Sequence, residues 1–419
     1  MDITEGEKVT QPLVTDGRRK FLGVSANVFF LGLVSMLTDI SSVLIFTLVP
    51  LFLTNVLGAK TAIVGLVGGI SYSADALFRI FSGWMSDKIG KRKLLAVIGY
   101  TLSNLLKPVM YIAGSWGVVT AIRFGDRVGK GVRTSSRDAL IADSVTSDQR
   151  GRGFGLHRAM DTAGAMIGLI IAALIVYLVQ GTRSFNLERL SYKWMVAAGT
   201  VPGIIAVIVL ITLVRERKKE AKAAATGAAP LALPKAGFDP RFKLYLAVVA
   251  LFTLGNSSDF FLILRAQNVS APLLQVVLML VLFNATYALI AMPMGTLSDK
   301  IGRRRVLTFG WLVYGLVYLG FALASHIWQV WLLFAAYGIY YGVTEGAAKA
   351  FVADMVPADR RGTAYGLYNG VVGLMALPAS LIAGWLWQAF NPAAAFYFGA
   401  GLALLAMAGI LFIVKERTA

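Results

Sequence analysis

Cysteine is absent from the 419 residues, and histidine occurs only as His157 and His326. Without thiols there is no disulfide, no thiolate nucleophile and no sulfur-ligated metal, and two histidines cannot build a His-rich metal cluster. No metal site and no cofactor is therefore expected. Charge is also scarce. Only 15 % of residues are Asp, Glu, Lys or Arg, against 57 % hydrophobic, and the mean hydropathy is +0.69. A soluble fold would need far more charge to cover its surface. An enzyme buried in the membrane would still need a nucleophile with its base or a metal cluster, and His326 falls in a loop between apolar runs. The chain is therefore expected not to be an enzyme.

What is present is apolar sequence in long runs. Read against the ~20 residues that cross a bilayer, the runs predict helices at roughly 22–53, 61–84, 94–113, 116–141, 155–179, 194–214, 243–265, 272–296, 306–325, 328–353, 364–388 and 393–414. The expected fold class is an all-α polytopic membrane protein with twelve transmembrane helices in two six-helix repeats. Its expected parts are an N-terminal segment (1–21), a first bundle (22–214), a linker (215–242), a second bundle (243–414) and a tail (415–419). The first residues, with Asp2, Glu5 and Glu7, lack the positive-then-apolar layout of a signal peptide. The linker carries the run from Ala221 to Pro230 and a further Pro234, a composition suited to a spacer.

The formal charge of +18 would suggest nucleic acid in a soluble protein, but here the basic residues are sorted by loop. Arg18, Arg19 and Lys20, then Lys88, Lys91, Arg92 and Lys93, then Arg150 and Arg152 all fall on one side. The same side carries Arg215 to Lys222, Lys300 with Arg303 to Arg305, Arg360, Arg361, Lys415 and Arg417. The opposite loops hold little beyond Lys60, Arg183, Arg189, Lys193 and Arg265. By the positive-inside rule both termini are expected in the cytoplasm, the lipid bilayer is the partner of the outer surface, and no nucleic acid is expected.

The two halves are copies. Gly83-Trp-Met-Ser-Asp87-Lys-Ile-Gly90-Lys-Arg-Lys93 returns as Gly295-Thr-Leu-Ser-Asp299-Lys-Ile-Gly302-Arg-Arg-Arg305, and 299 minus 87 is 212. Ala142-Asp143-Ser144-Val145 with Arg150-Gly151 returns as Ala353-Asp354-Met355-Val356 with Arg361-Gly362, and 354 minus 143 is 211. Two related halves of membrane helices are the plan of a transporter.

The charges inside the apolar runs gather in helix 4. At roughly 100° per residue, Arg123, Asp126, Arg127, Lys130, Arg133, Thr134, Arg137 and Asp138 fall in a stripe of about 140°. With Trp116 at the interface, a rise of ~1.5 Å per residue places Arg123 about 10 Å deep and Lys130 about 21 Å deep. A charge there costs from about 3 to more than 10 kcal/mol on an isolated helix, so the stripe must face a wet cavity or opposite charges. Asp39, the pair Asp75 and Arg79, Lys107, His157, Arg158 and Asp161 are available as partners. Helix 10, the partner of helix 4 in the repeat, carries Tyr337, Tyr340, Tyr341, Glu345 and Lys349, while Asn256 to Asp259 and Tyr287 lie nearby in the order of helices. The expected substrate and coupling residues are Asp39, Arg123, Asp126, Arg127, Lys130, Asp161, Asn256, Asp259, Tyr337 and Tyr341.

The doubled motif resembles the helix 2–3 signature of the major facilitator superfamily, Gly-x-Leu-x-Asp-Arg-x-Gly-Arg-Lys, with Lys88 and Lys91 where that pattern often has Arg. The resemblance covers the whole chain and implies that Gly83, Asp87, Gly90 and Arg92, with Gly295, Asp299, Gly302 and Arg304, form a conformational latch. It places Arg123 where the superfamily's helix 4 has a basic residue associated with proton coupling. Gly155, Gly164 and Gly168 are similar to the glycine spacing of drug/proton antiporters, although Leu169 stands where the motif usually closes with Gly-Pro. The run Asp126-Arg127-x-Gly129-Lys130-Gly131-x-Arg133 is similar to a bacterial subgroup of the superfamily. These likenesses imply a monomer in the bacterial cytoplasmic (inner) membrane that exports a small anionic or amphipathic organic solute by proton antiport. Asp126 is the first expected proton carrier and Asp39 the second. The alternatives are uptake or exchange of an organic anion, or a transport-inactive membrane sensor.

Overall fold

A computed structural model describes residues 20–21, 24–89, 91–145, 150–216, 238–357 and 360–412. Nearly all of the expected N-terminal segment, most of the linker and the tail lie outside the described residues. A two-residue ladder pairs Lys20–Phe21 with Val24–Ser25. The rest of the ordered backbone is helical.

Among the described residues twelve helical spans follow in chain order. The first half holds α1 Ala26–Val56 and α3 Arg92–Ile112, α2 Thr61–Ile89, α4 Trp116–Asp143, α5 Arg150–Gln180 and α6 Arg189–Thr212. The second half holds α7 Pro240–Asn268, α8 Leu273–Ile301, α9 Arg303–Leu323, α10 Ile327–Met355, α11 Arg361–Ala389 and α12 Pro392–Phe412. Ten of these are long and apolar enough to cross a bilayer by length and composition. The two that fall short are α4 and α10, which occupy the same place in the repeat.

Packing repeats with the sequence. In the first half α1 packs on α5 and α6, α2 on α4, and α3 on α4. In the second, α7 packs on α11 and α12, α8 on α10, and α9 on α10. The halves meet along α2 with α11 and α5 with α8. Large apolar side chains such as Leu178, Leu289 and Leu374 are exposed on the outside, the inverse of a soluble protein and the arrangement a lipid solvent requires. Among the described residues the buried charged side chains are Lys107, Arg123, Asp126, Arg133 and His157, all in the first half.

Two spans are broken inside the runs that were expected to be continuous. In α1 the α-helix stops at Phe46, a three-residue piece follows from Val49 with Pro50 in its first turn, and a π-helical stretch closes the span from Phe52 to Val56. In α7 the helix stops at Gly255 and resumes at Phe260. The interruption falls on Asn256-Ser257-Ser258-Asp259, residues whose side chains compete for backbone hydrogen bonds. Tyr314 Oη donates to the freed Gly255 carbonyl and to Asn256 Oδ1, both at 3.2 Å. Ser380 Oγ accepts from the Ser258 N–H at 3.2 Å. The repeat offset of 212 sets Thr47 opposite Asp259, since 259 minus 47 is 212. Each half therefore opens its leading helix at the same place.

Candidate functional site

A cavity of about 270 Å³ lies between the halves, and both breaks face it: Phe46 and Thr47 line it from α1, Asp259 and Phe260 from α7. Its other walls come from α2, α4, α5, α8 and α10. On α8 the lining runs from Leu280 to Asn284. That is roughly 10–16 Å from the helix start at a rise of ~1.5 Å per residue, so the cavity sits near mid-membrane.

The first-half wall is built by α4. Gly129 and Gly131 let neighbouring helices approach it closely: a Cβ at Gly129 would stand 2.7 Å from the Gly99 carbonyl oxygen, and one at Gly131 2.9 Å from the Arg79 nitrogen. With α2 and α3 drawn in, the charged stripe divides into two sets. Arg123, Arg127 and Lys130 line the cavity beside Asp39. The remaining charges turn into the bundle. Ser103 Oγ donates to Asp126 Oδ1 at 2.5 Å, and Arg127 Nε lies 3.6 Å from Asp126 Oδ2. Arg133 lies 4.5 Å over the Tyr100 ring. Arg137 donates to Ser35 Oγ at 3.1 Å and to Asp138 at 3.0 Å. Lys107 Nζ donates to Asn104 Oδ1 at 2.8 Å and to the Thr38 carbonyl at 3.4 Å.

Arg123 and Arg133 are alike in burial and in having Nε and Nη1 without a hydrogen-bond partner, but of the two only Arg123 lines the cavity. Arg123 is 4 % exposed, and its guanidinium rests 4.6 Å from the Phe46 ring and 5.5 Å from the Phe260 ring. A nearly dry guanidinium carries five donors, and leaving donors unmet in low dielectric is expensive. It is suited to take a ligand's acceptor.

The second-half wall is aromatic. Asp259 accepts from Tyr337 at 2.7 Å, from Tyr72 at 3.3 Å and from Tyr341 at 3.5 Å. Tyr72 belongs to α2, so this carboxylate also ties the halves together. Phe283 stands 5.5 Å from both the Tyr337 and Tyr341 rings.

Of the ten expected site residues, Asp39, Arg123, Arg127, Lys130, Asp259 and Tyr337 line the cavity. Tyr341 reaches it only through its contact with Asp259. Asp126, Asp161 and Asn256 are not in the lining: Asp126 faces α3, Asp161 lies 3.9 Å from His157, and Asn256 is held by Tyr314. Tyr72 was missed, although it lies one turn before Asp75 on the same helix. The pair Asp75 and Arg79 forms at 3.1 Å within α2.

The motif glycines and acids Gly83, Gly90, Asp87 and Asp299 lie outside the described residues or have side chains that do. The arginines are described. Arg92 bonds Asp143 and Arg303 bonds Asp354, each also reaching the carbonyl four residues earlier. Lys93 donates to the Ile211 carbonyl near the end of α6, and Arg304 donates to the Ile410 carbonyl near the end of α12. The counterpart of Arg92 is therefore Arg303 and not Arg304, and these bonds all stay within one half. Gly302, at φ 93°, makes the tight link between α8 and α9.

Between the halves, the side remote from the basic loops is sealed. Leu273 N–H donates to the Ser184 carbonyl at 2.8 Å, and Gln267 donates to Phe185 and Asn186 at 3.0 Å. Helices α2 and α11 continue that seal, where a Cβ at Gly69 would meet Leu377 and one at Gly384 would meet Ala62. Towards the basic loops, Arg158 of α5 pairs with Glu345 of α10 at 3.1 Å, and Tyr287 of α8 bonds both. On α5, Gly164 and Gly168 press against the Met36 and Ile40 carbonyls of α1, whereas Gly155 has open space.

The family model of the Major Facilitator Superfamily matches residues 29–268 and 244–419. The chain belongs to that superfamily. An uncharacterized MFS-type transporter of Methanocaldococcus jannaschii is 38 % identical over 397 residues, covering 93 % of this chain and 95 % of the relative. The multidrug resistance protein MdtH of Salmonella arizonae is 22 % identical over 364 residues, 86 % of each chain. Among solved structures, the nucleoside transporter NupG superimposes with a TM-score of 0.73 at 14 % identity, covering 93 % of this chain and 99 % of that one, a likeness of fold alone. This superfamily member is thus a multi-pass membrane transporter with a small-molecule substrate.

Proposed function

We propose that the protein exports a small anionic or amphipathic organic solute across the cytoplasmic membrane by alternating access, in exchange for protons. The observation that carries the reading is Arg123: a nearly buried guanidinium with unmet donors, in a cavity between two repeat-related halves. Arg127 and Lys130 raise the positive potential of the same wall, against Asp39 alone on that side. Rocking of the halves about the cavity opens in turn the seal at residues 184–186 and 267–273 and the Arg158–Glu345 contact on the opposite side. The likeness to MdtH supports export, and the basic loops support an orientation with both termini in the cytoplasm.

Proton exchange requires a carboxylate that reaches the water of the cavity. Asp39 meets that condition and takes the coupling role ahead of Asp126, which hydrogen bonds to Ser103 behind the wall. Neutralising Asp39 as Asn leaves solute exchange intact and removes the response to an imposed pH gradient in proteoliposomes, with solutes taken from a thermal-shift screen. Flux in Asp39→Asn that still follows the gradient would remove Asp39 from coupling. The same wall serves uptake or exchange of an organic anion, and the direction of gradient-driven flux in oriented vesicles separates the two.

A further inference from the structure

Two opposite charges face the cavity without pairing. Among the described residues Arg123 has no carboxylate within salt-bridge distance, and no Lys or Arg nitrogen lies that close to Asp259. Both line the same cavity, and Arg123 sits 5.5 Å from the ring of Phe260, the residue after Asp259. Here phenyl rings hold the guanidinium, and three tyrosine hydroxyls hold the carboxylate.

The surroundings of Asp259 have a definite chemistry. The Tyr337 and Tyr341 rings meet edge to face at 5.2 Å, and Phe283 closes the corner at 5.5 Å from each. Aromatic faces around a carboxylate favour an ammonium or a quaternary ammonium group. The wall of Arg123, Arg127 and Lys130 favours a carboxylate, sulfonate or phosphate. A cavity of about 270 Å³ admits one small molecule.

We propose that the transported solute is a zwitterion, its anionic group on Arg123 and its cationic group against Asp259 in the corner formed by Tyr337, Tyr341 and Phe283. The proposal rests on the cavity being the transport site. A zwitterion satisfies both charges at once, whereas a simple anion leaves Asp259 unpaired and a simple cation leaves Arg123 unpaired. Tyr72 places the same carboxylate in contact with the first half, so a cationic group that competes for Asp259 loosens a tie between the halves.

The absence of cysteine allows a direct map of the two poles. Ser42→Cys puts a single thiol on the first-half wall, one turn from Phe46, and Asn284→Cys puts one on the second-half wall beside Phe283; both positions line the cavity. Each is reacted in oriented membrane vesicles with anionic sulfonatoethyl methanethiosulfonate and with cationic trimethylammonioethyl methanethiosulfonate. The anionic-to-cationic rate ratio is expected to be about tenfold higher at position 42 than at position 284, as opposite local potentials require. Asp259→Asn should remove most of that difference without reducing the folded yield, and Arg123→Gln should lower the ratio at position 42. Equal ratios at the two positions, or a difference indifferent to Asp259→Asn, would overturn the zwitterion and leave a uniformly anion-selective cavity. If neither thiol reacts from either side, the transport reading of the cavity fails with it.

Discussion

Helices α4 and α10 stand at the same place in the repeat, and both are too polar to count as ordinary membrane spans. They are polar in opposite ways. The α4 helix carries five Lys and Arg residues and three Asp residues between Trp116 and Asp143, whereas the wall presented by α10 is a group of tyrosines. Duplication supplied one scaffold, and divergence turned one copy into an electrostatic wall and the other into a hydrogen-bonding and stacking wall. The cost of burial was met differently. In the first half Asp126 is met by Ser103 and Arg137 by Ser35 inside the bundle, and Arg133 rests on the Tyr100 ring. Arg123 and Arg133 both keep Nε and Nη1 without a partner, and of the two Arg123 faces the cavity. In the second half Asp259 is solvated by tyrosine hydroxyls instead of by a cation.

That contrast can be broken by substitution. The largest effect is expected at Asp126→Ala, which removes a carboxylate from a buried site beside Arg127 and Ser103; the loss is about 3 kcal/mol of stability. Thermal unfolding in detergent reads it, and an unchanged midpoint would mean that the first-half charges are not mutual partners. A smaller effect, about 1 kcal/mol, is expected at Tyr337→Phe, which deletes one neutral donor to Asp259. It should weaken solute affinity by roughly fivefold at unchanged folded yield, measured by solute-induced thermal shift, and unaltered affinity would detach Tyr337 from the site. The smallest effect is expected at Glu345→Gln. Its pair with Arg158 has side chains 37 % and 56 % exposed, so its loss should move the balance between conformations by no more than about 1 kcal/mol and less at high salt. Labelling of Asn284→Cys from each side of the membrane reads that balance, and a salt-independent shift would point to packing instead of charge.

Much of this was legible in the sequence because lipid inverts the usual rule: a charge within an apolar run has to be explained, and at roughly 100° per residue the stripe on α4 declares an interior face. The stripe could not say which charges face the cavity and which face α3, because a sector of about 140° covers both. Asp126 is the instance. The repeat was legible, but its register was not: two residues separate α2 from α3 and one separates α8 from α9, so the offset slips from 212 to 211 within the motif and Arg303 takes the place expected of Arg304. The break in α1 had a single cue, Pro50, inside an otherwise continuous apolar run. Tyr72 gave no cue beyond its place one turn before Asp75, since a tyrosine in a membrane helix is ordinary until a carboxylate from the other half is placed beside it.

The central claim is that Arg123 holds the anionic end of the solute with donors the protein itself leaves unmet. Arg123→Gln keeps a polar side chain of similar reach and removes the charge. A buried charge-assisted contact contributes about 1.5–3 kcal/mol, so efflux of a solute identified by thermal shift should fall by roughly 10- to 100-fold in proteoliposomes, with the unfolding midpoint of the empty protein unchanged or higher. Wild-type efflux and affinity in Arg123→Gln, at equal reconstituted amounts, would contradict the account.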